Sequence, residues 1–245
     1  YAKEGLKDQI KDFDVLIVRS ATKVDQEIID AAAQGDLRLI VRAGVGIDNI
    51  DAAYAQMRGI EVRNTPNASS DSVAELVLGH MFSLARFISI ANVTMRDGKW
   101  NKKEYEGVEL AGKTLGIIGF GRIGRSLAEK ASALGMDVMF HDICVKNDEK
   151  FEYAEFDALI KNADFISVHT PFTGEALIGE EQFRKMKEGV FIINAARGNV
   201  IDEKALVDAL NTDRVRGAGI DVFEKEPAVN LELVRHPKAC VTPHI

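Results

Sequence analysis

Apolar and polar positions alternate along the chain in short blocks. An apolar run over Asp14-Val-Leu-Ile-Val-Arg19 predicts a strand, Gln26 to Ala33 a helix, and Leu37-Arg-Leu-Ile-Val-Arg42 a second strand. Ala52 to Met57 then reads as a helix and Ile60-Glu-Val62 as a short strand. Asn64-Thr-Pro-Asn-Ala-Ser-Ser is turn chemistry and marks a hinge near residue 70. Beyond it the pattern predicts one long helix from Ser72 to about Ile90, with Val73, Leu76, Val77, His80, Met81 and Leu84 on one side. Asp71 or Ser72 is the expected cap, with Glu75 near the capping-box position. Arg96-Asp-Gly-Lys-Trp100 and the polar stretch to Glu109 read as a loop.

Further apolar runs follow at Leu115 to Ile118, Asp137 to His141, Phe165 to Val168, Val190 to Ile193, Gly217 to Ile220 and Ala239 to Thr242, with helical patterns between them. Strands separated by helices predict a parallel, doubly wound α/β sheet. The chain therefore divides into a small α/β unit over residues 1–70 and a larger Rossmann-type unit over 71–245.

Gly119-Phe-Gly-Arg-Ile-Gly124 lies between the run ending at Ile118 and a helical repeat of Ile123, Leu127, Ala128, Ala131 and Leu134 that Gly135 closes. In a dinucleotide-binding βαβ unit the first glycine permits the turn and the second lets backbone approach a pyrophosphate. The third lets the helix pack close to the strand. The helix N-terminus adds unpaired N–H groups and partial positive charge. Gly119, Gly121, Arg122, Ile123 and Gly124 are thus candidate cofactor contacts. Asp142, at the end of the next strand, can accept both hydroxyls of an adenosine ribose. With no arginine just after it, Asp142 favours NAD over NADP, and Lys146 argues mildly the other way.

Composition changes this picture little. With 46% hydrophobic and 28% charged residues over 245 positions, the chain is of globular type. A formal net charge of −7 argues against nonspecific nucleic-acid binding and requires local cations for any anionic ligand. Cys144 and Cys240 form no CxxC pair, suit a reducing cytoplasm, and read as structural thiols. No run has the length of a membrane span, and no metal-ligand spacing is present. Both ends read as cut: Tyr1-Ala-Lys-Glu opens without methionine, and Val241-Thr-Pro-His-Ile245 stops inside a motif. His80 reads as a satisfied core or interface histidine.

Three strand ends carry candidate chemistry: Arg197 in Asn194-Ala-Ala-Arg-Gly198, Glu226 in Asp221-Val-Phe-Glu-Lys-Glu-Pro227, and His244 in Thr242-Pro-His244. Ligands bind beyond the carboxyl ends of parallel strands. A guanidinium there can hold a carboxylate through paired hydrogen bonds, and a carboxylate beside an imidazole fixes its tautomer.

These motifs occur in order with Arg42-Ala-Gly-Val-Gly-Ile-Asp-Asn-Ile-Asp51, Asn64-Thr-Pro, Val73-Ala-Glu-Leu76 and His169-Thr-Pro-Phe-Thr173. As a set they resemble the D-isomer-specific 2-hydroxyacid dehydrogenases, and Val18-Arg-Ser-Ala-Thr-Lys-Val24 with Arg96-Asp-Gly-Lys-Trp100 is most similar to the phosphoglycerate dehydrogenase branch. The resemblance implies a Rossmann-type NAD domain plus a smaller flavodoxin-like substrate domain. It implies Arg197, Glu226 and His244 as the catalytic group. Thr170, Pro171 and Ala195 would line the cofactor cleft, and Asp221 would hold the nicotinamide amide. Val45 and Gly46 would present N–H groups to the substrate carboxylate, and Arg19 would meet a substrate phosphate.

The implied activity is NAD-dependent interconversion of a D-2-hydroxy acid and a 2-keto acid, most closely the 3-phosphoglycerate step of serine biosynthesis. A glyoxylate/hydroxypyruvate reductase, a D-lactate dehydrogenase, or an NAD(H)-sensing corepressor similar to the C-terminal-binding proteins are the alternatives. The expected partners are a small-molecule substrate and a second copy of the chain in a homodimer formed through the long helix and the Trp100 loop, with no nucleic acid and no membrane.

Overall fold

The computed structural model describes residues 3–245, which fall into two compact units that meet in sequence at Ser70 and Asp71. In the first, α1 (Lys3–Gln9) precedes β1 (Val15–Val18), followed by α2 (Gln26–Ala32), β2 (Leu39–Arg42), α3 (Ala52–Met57) and β3 (Glu61–Asn64). The three strands pair in parallel in the order β1-β2-β3. Asp25 and Asp51 cap α2 and α3, accepting from the amides of Ile28 and Tyr54. Ile28, Ile29, Ile40, Ala55 and Ile60 form the core of this unit.

The second unit begins with α4 (Ser70–Arg86) and α5 (Ile88–Arg96). Here the expectation of one continuous helix is corrected. Phe87 adopts a left-handed backbone, φ 59°, and the two helices bend by 64° across it. The break is held by tertiary contacts: Phe87 stacks on Tyr105 with ring centroids 5.4 Å apart, and Ser83 Oγ lies 2.6 Å from Ser89 Oγ. Neither Asp71 nor Ser72 is the cap, because the helix starts before both. Asp71 instead accepts from Ser126 Oγ and Lys130 Nζ on a neighbouring helix. No single helix among the described residues is long and apolar enough to cross a membrane; α4 and α5 pass that test only when joined across their bend.

Next come β4 (Thr114–Ile118), α6 (Arg122–Ala133), β5 (Asp137–His141), β6 (Glu152–Tyr153), α7 (Phe156–Asn162), β7 (Phe165–Val168), α8 (Glu180–Lys185), β8 (Val190–Asn194), α9 (Glu203–Asn211), β9 (Val215–Ile220), α10 (Leu231–Val234) and β10 (Ala239–Val241). They build a seven-stranded parallel sheet in the order β10-β9-β8-β7-β4-β5-β6. Strand order reverses between β4 and β7, with β5 and β6 laid to one side of β4 and β7 to β10 to the other, which is the switch point of a Rossmann-type sheet. Successive strand residues face opposite sides. Ile166, Val168, Val190 and Ile192 therefore pack with α7, α8 and α9, while Phe165, Phe191 and Ile193 pack with Val77, Met81, Leu127 and Ala131 from α4 and α6. Both faces are covered, which explains strands that read as continuous apolar runs.

Candidate active site at the carboxyl edge of the seven-stranded sheet

The glycine turn joins β4 to α6, and each glycine has a different reason to lack a side chain. Gly119 has φ +96°, and a Cβ there would lie 2.6 Å from the carbonyl oxygen of His169. A Cβ on Gly124 would lie 2.3 Å from Gly119 O, so helix and turn could not close. Around Gly121 nothing lies within 4 Å of the Cβ position. Its backbone faces open space as the N-cap of α6, with Arg122 exposed in the first turn and Ile123 beside it. A glycine is favoured over alanine at an N-cap, and its open face leaves room for close approach by a phosphate.

Asp142 stands beyond β5, beside this turn. Its Oδ2 accepts from the Phe120 amide at 2.7 Å, and Oδ1 accepts from the amides of Cys144 and Val145 at 2.8 and 3.0 Å. Burial pushes its carboxyl up, but these three amide bonds outweigh that and hold it below the usual aspartate range. About four acceptor positions exist on a carboxylate. Three of them fasten the glycine turn and the following loop, so capacity for both ribose hydroxyls is reduced from the sequence expectation. Lys146 lies over the Tyr153 ring, Nζ 5.6 Å from its centroid.

After β7, Thr170 abuts Gly119, its Cγ2 3.1 Å from that glycine's Cβ position, and its buried Oγ1 has no partner among the described residues. His169 bonds Ser167 Oγ through Nε2 at 2.9 Å, while its enclosed Nδ1 is unpartnered. Burial pushes that imidazole down to about 4. Pro171 is exposed and Ala195 half-buried beyond the ends of β7 and β8. A turn open at Gly121 and an orphaned hydroxyl at Thr170 fit a dinucleotide with pyrophosphate over the N-terminus of α6.

The adjacent strands β8, β9 and β10 deliver Arg197, Glu226 and His244 to the same edge. Asn194, buried at the end of β8, shapes the arginine loop: its Nδ2 donates to Arg197 O at 2.9 Å and its Oδ1 accepts from the Ala196 amide at 3.0 Å. Sequence reading passed over Asn194 as a positioning residue, although a polar residue ending an apolar strand was the available signal. Glu226 Oε2 lies 2.8 Å from His244 Nδ1, and its Oε1 accepts from the Phe223 amide at 3.3 Å. His244 itself is left-handed, φ +56°, a backbone sparsely used by side chains with a Cβ. Asp221, only 3% exposed, accepts from Thr242 Oγ1 at 2.6 Å and from the Ile245 amide at 3.1 Å through one oxygen.

In the first unit, Arg19 follows β1 and is exposed, its carbonyl accepting from Asn49 Nδ2 at 3.0 Å. Val45 and Gly46 follow β2, and Val45 O accepts from Asn64 Nδ2. These three share the carboxyl edge of the small sheet. Neither cysteine proves to be a core thiol: Cys144 is exposed and Cys240 half-buried. His80 is only 2% exposed and is not fully satisfied, since its Nδ1 lacks a partner. Among the described residues no cluster of metal-ligating side chains occurs.

Fold and edge chemistry together define the second unit as a dinucleotide-binding domain with an acid–base pair beside it. Residues 78–245 match the family model for the D-isomer specific 2-hydroxyacid dehydrogenase, NAD binding domain. The chain is 47% identical to the hydroxypyruvate reductase of Thermotoga maritima, over 99% of this chain and 81% of that protein. It is 44% identical to the D-3-phosphoglycerate dehydrogenase of Methanocaldococcus jannaschii, over 99% of this chain but 47% of the relative, so it spans about half of that protein's length. The solved structure of the TT0316 protein from Thermus thermophilus superposes with a TM-score of 0.93 at 34% identity, covering 100% of this chain and 79% of that one. The chain belongs to the D-isomer specific 2-hydroxyacid dehydrogenases, an oxidoreductase family whose cofactor is NAD.

Proposed function

We propose that this protein interconverts a D-2-hydroxy acid and its 2-keto acid, with 3-phosphoglycerate and 3-phosphohydroxypyruvate as the preferred pair. The observation that carries the reading is the His244–Glu226 pair at 2.8 Å, on strands adjacent to the Arg197 loop and on the same edge as the glycine turn. NAD, when bound, supplies or accepts the hydride. Gly119 to Gly124 hold its pyrophosphate through backbone amides, Asp142 meets the ribose through its remaining acceptor position, and Thr170, Pro171 and Ala195 line the cleft. Asp221 holds the nicotinamide amide with the oxygen not committed to Thr242.

Arg197 binds the substrate carboxylate and carbonyl and stabilises negative charge growing on the oxygen. His244 exchanges the proton with that oxygen through Nε2, because Nδ1 faces Glu226. Glu226 fixes this tautomer and stabilises the charged ring. Val45 and Gly46 offer amides to the substrate carboxylate, and Arg19 offers its guanidinium to a phosphate. On α5 and just past it, exposed Ile88, Val93, Met95 and Trp100 offer apolar side chains to a second copy in a homodimer.

The likeness to a hydroxypyruvate reductase over 81% of that protein favours a second reading, in which the unphosphorylated keto acid is preferred. NADH oxidation against 3-phosphohydroxypyruvate, hydroxypyruvate, glyoxylate and pyruvate, on a preparation whose mass is read by light scattering, separates the two. The first reading expects the lowest KM for the phosphorylated acid and, in Arg19→Ala, a rise in that KM with glyoxylate unaffected. Equal losses for both substrates overturn the phosphate contact, inactivity on all four overturns the dehydrogenase, and a monomeric mass overturns the dimer.

A further inference from the structure

Cys240 and Thr242 lie two residues apart at the end of β10 and project to the same face of the sheet. Gly219 is the register partner of Cys240 on β9. Its missing side chain leaves room for His80 from α4: a Cβ on Gly219 would lie 2.8 Å from His80 Cβ and 3.2 Å from its Nδ1. The imidazole thus sits over Gly219, the register partner of Cys240, on the face of the sheet that Cys240 and Thr242 share.

The hydrogen bonds fix its tautomer. The Thr242 hydroxyl has one proton, and it goes to the Asp221 carboxylate at 2.6 Å, which can only accept. Thr242 Oγ1 therefore accepts from His80 Nε2 at 3.1 Å. A neutral His80 protonated at Nε2 carries a bare lone pair on Nδ1, the same buried atom that has no hydrogen-bond partner. The thiol itself donates to Ser83 Oγ at 3.4 Å and accepts from Ser89 Oγ at 3.6 Å.

We propose that Cys240 is a modification site: His80 deprotonates its thiol, and the thiolate attacks small soft electrophiles, hydroperoxides in particular. His80 Nδ1 takes the thiol proton, and the resulting imidazolium is stabilised through Thr242 by the buried carboxylate of Asp221. The serine hydroxyls turn to donate to the thiolate. Burial pushes the thiol up, and donation to the charged sulfur by a protonated His80, Ser83 and Ser89 outweighs it and brings it down to about 7. With a hydroperoxide, the thiolate sulfur attacks one peroxide oxygen, an S–O bond forms and the O–O bond breaks. Sulfur is oxidised by two electrons to a sulfenic acid. The departing oxide takes the proton held on His80 and leaves as water or an alcohol. Cys144, exposed, is the internal control.

The test labels the native protein at pH 7 with limiting iodoacetamide and reads both cysteine peptides by mass spectrometry. A parallel sample is treated with hydrogen peroxide and then dimedone. Cys240 is expected to alkylate faster than Cys144 and to carry the dimedone adduct alone. In His80→Gln the amide still donates to Thr242 but no base stands at the Nδ1 position. Weighing lost thiolate against the greater nucleophilicity of a more basic sulfur, Cys240 alkylation should slow at least about threefold, with Cys144 unchanged. Thr242→Val, which removes the link to Asp221 and keeps a branched strand residue, should slow it as well and serves if His80→Gln does not fold. Dimedone on Cys144 instead of Cys240 overturns the proposal. So does a Cys240 rate that neither variant changes.

Discussion

Gly121 and Gly124 are three residues apart in one turn, yet the structure gives them separable jobs, and alanine at each should fail differently. In Gly124→Ala the new methyl would sit 2.3 Å from Gly119 O and 3.1 Å from Ile117 Cγ2. The nearer atom is backbone and cannot rotate away, so the upper part of the overpacking range applies, about 3 kcal/mol. Against it stands the gain of about 1 kcal/mol for replacing a helical glycine by alanine. The net loss of about 2 kcal/mol corresponds to a drop in Tm of about 4–8 °C for a unit of this size. In Gly121→Ala the methyl meets nothing within 4 Å. The poorer N-cap and the stiffer unfolded chain each count for about 0.5–1 kcal/mol with opposite signs, so Tm should stay within about 2 °C.

That same methyl would occupy the space a pyrophosphate needs. Losing one or two charge-assisted amide–phosphate bonds, at about 1.5–3 kcal/mol each, weakens NADH binding by at least about tenfold. Thermal melts and NADH fluorescence titrations of both variants check this. Wild-type NADH affinity in Gly121→Ala would refute the assignment of that open face to the cofactor, and a wild-type Tm in Gly124→Ala would refute the packing argument.

Two further outcomes follow from the site. His244→Ala should lower kcat by about 10²–10⁴-fold with NADH affinity nearly intact, measured by steady-state kinetics beside the same titration, and near-normal turnover would refute its role. His169 is held neutral by burial, its folded value about 4 against about 6.5 in the unfolded chain. The unfolded state binds the extra proton, so the stability from this residue is complete above about pH 6.5 and is lost as pH falls toward 4, by up to about 3 kcal/mol. Urea midpoints at pH 7 and 4.5 should therefore diverge less in His169→Gln than in the wild type, and an unchanged slope would rule His169 out as the source.

Much of this was legible in the chain because it is local. The strands β5 and β7 and the helix α3 fall on the predicted residues, and Gly135, φ +82°, closes α6 as its position suggested. Periodicity and turn chemistry report on neighbours a few residues apart, and those neighbours decide such elements. The three glycines of the turn are legible for the same reason. The motif set, read in order, also pointed to the family and to NAD.

Tertiary structure decided the rest. The break at Phe87 has neither glycine nor proline to announce it; the Tyr105 ring and the Ser83–Ser89 contact hold a backbone that local preference disfavours. Asp142 looked like a free ribose acceptor, but only the folded turn brings the Phe120 amide, 22 residues away, onto its carboxylate. His80 and Thr242 are 162 positions apart, and the packing of α4 over Gly219 makes them partners and sets Nδ1 3.2 Å from the Cβ position of Cys240's register partner. The sequence by itself determined most of the strands and helices and the glycine turn, because those rest on short-range sterics and side-chain period, and its ordered motifs pointed to NAD. Which polar groups spend their hydrogen bonds on one another, and which are left with capacity for a ligand or a proton, depends on contacts between distant strand ends and helices, and only the tertiary structure supplies those.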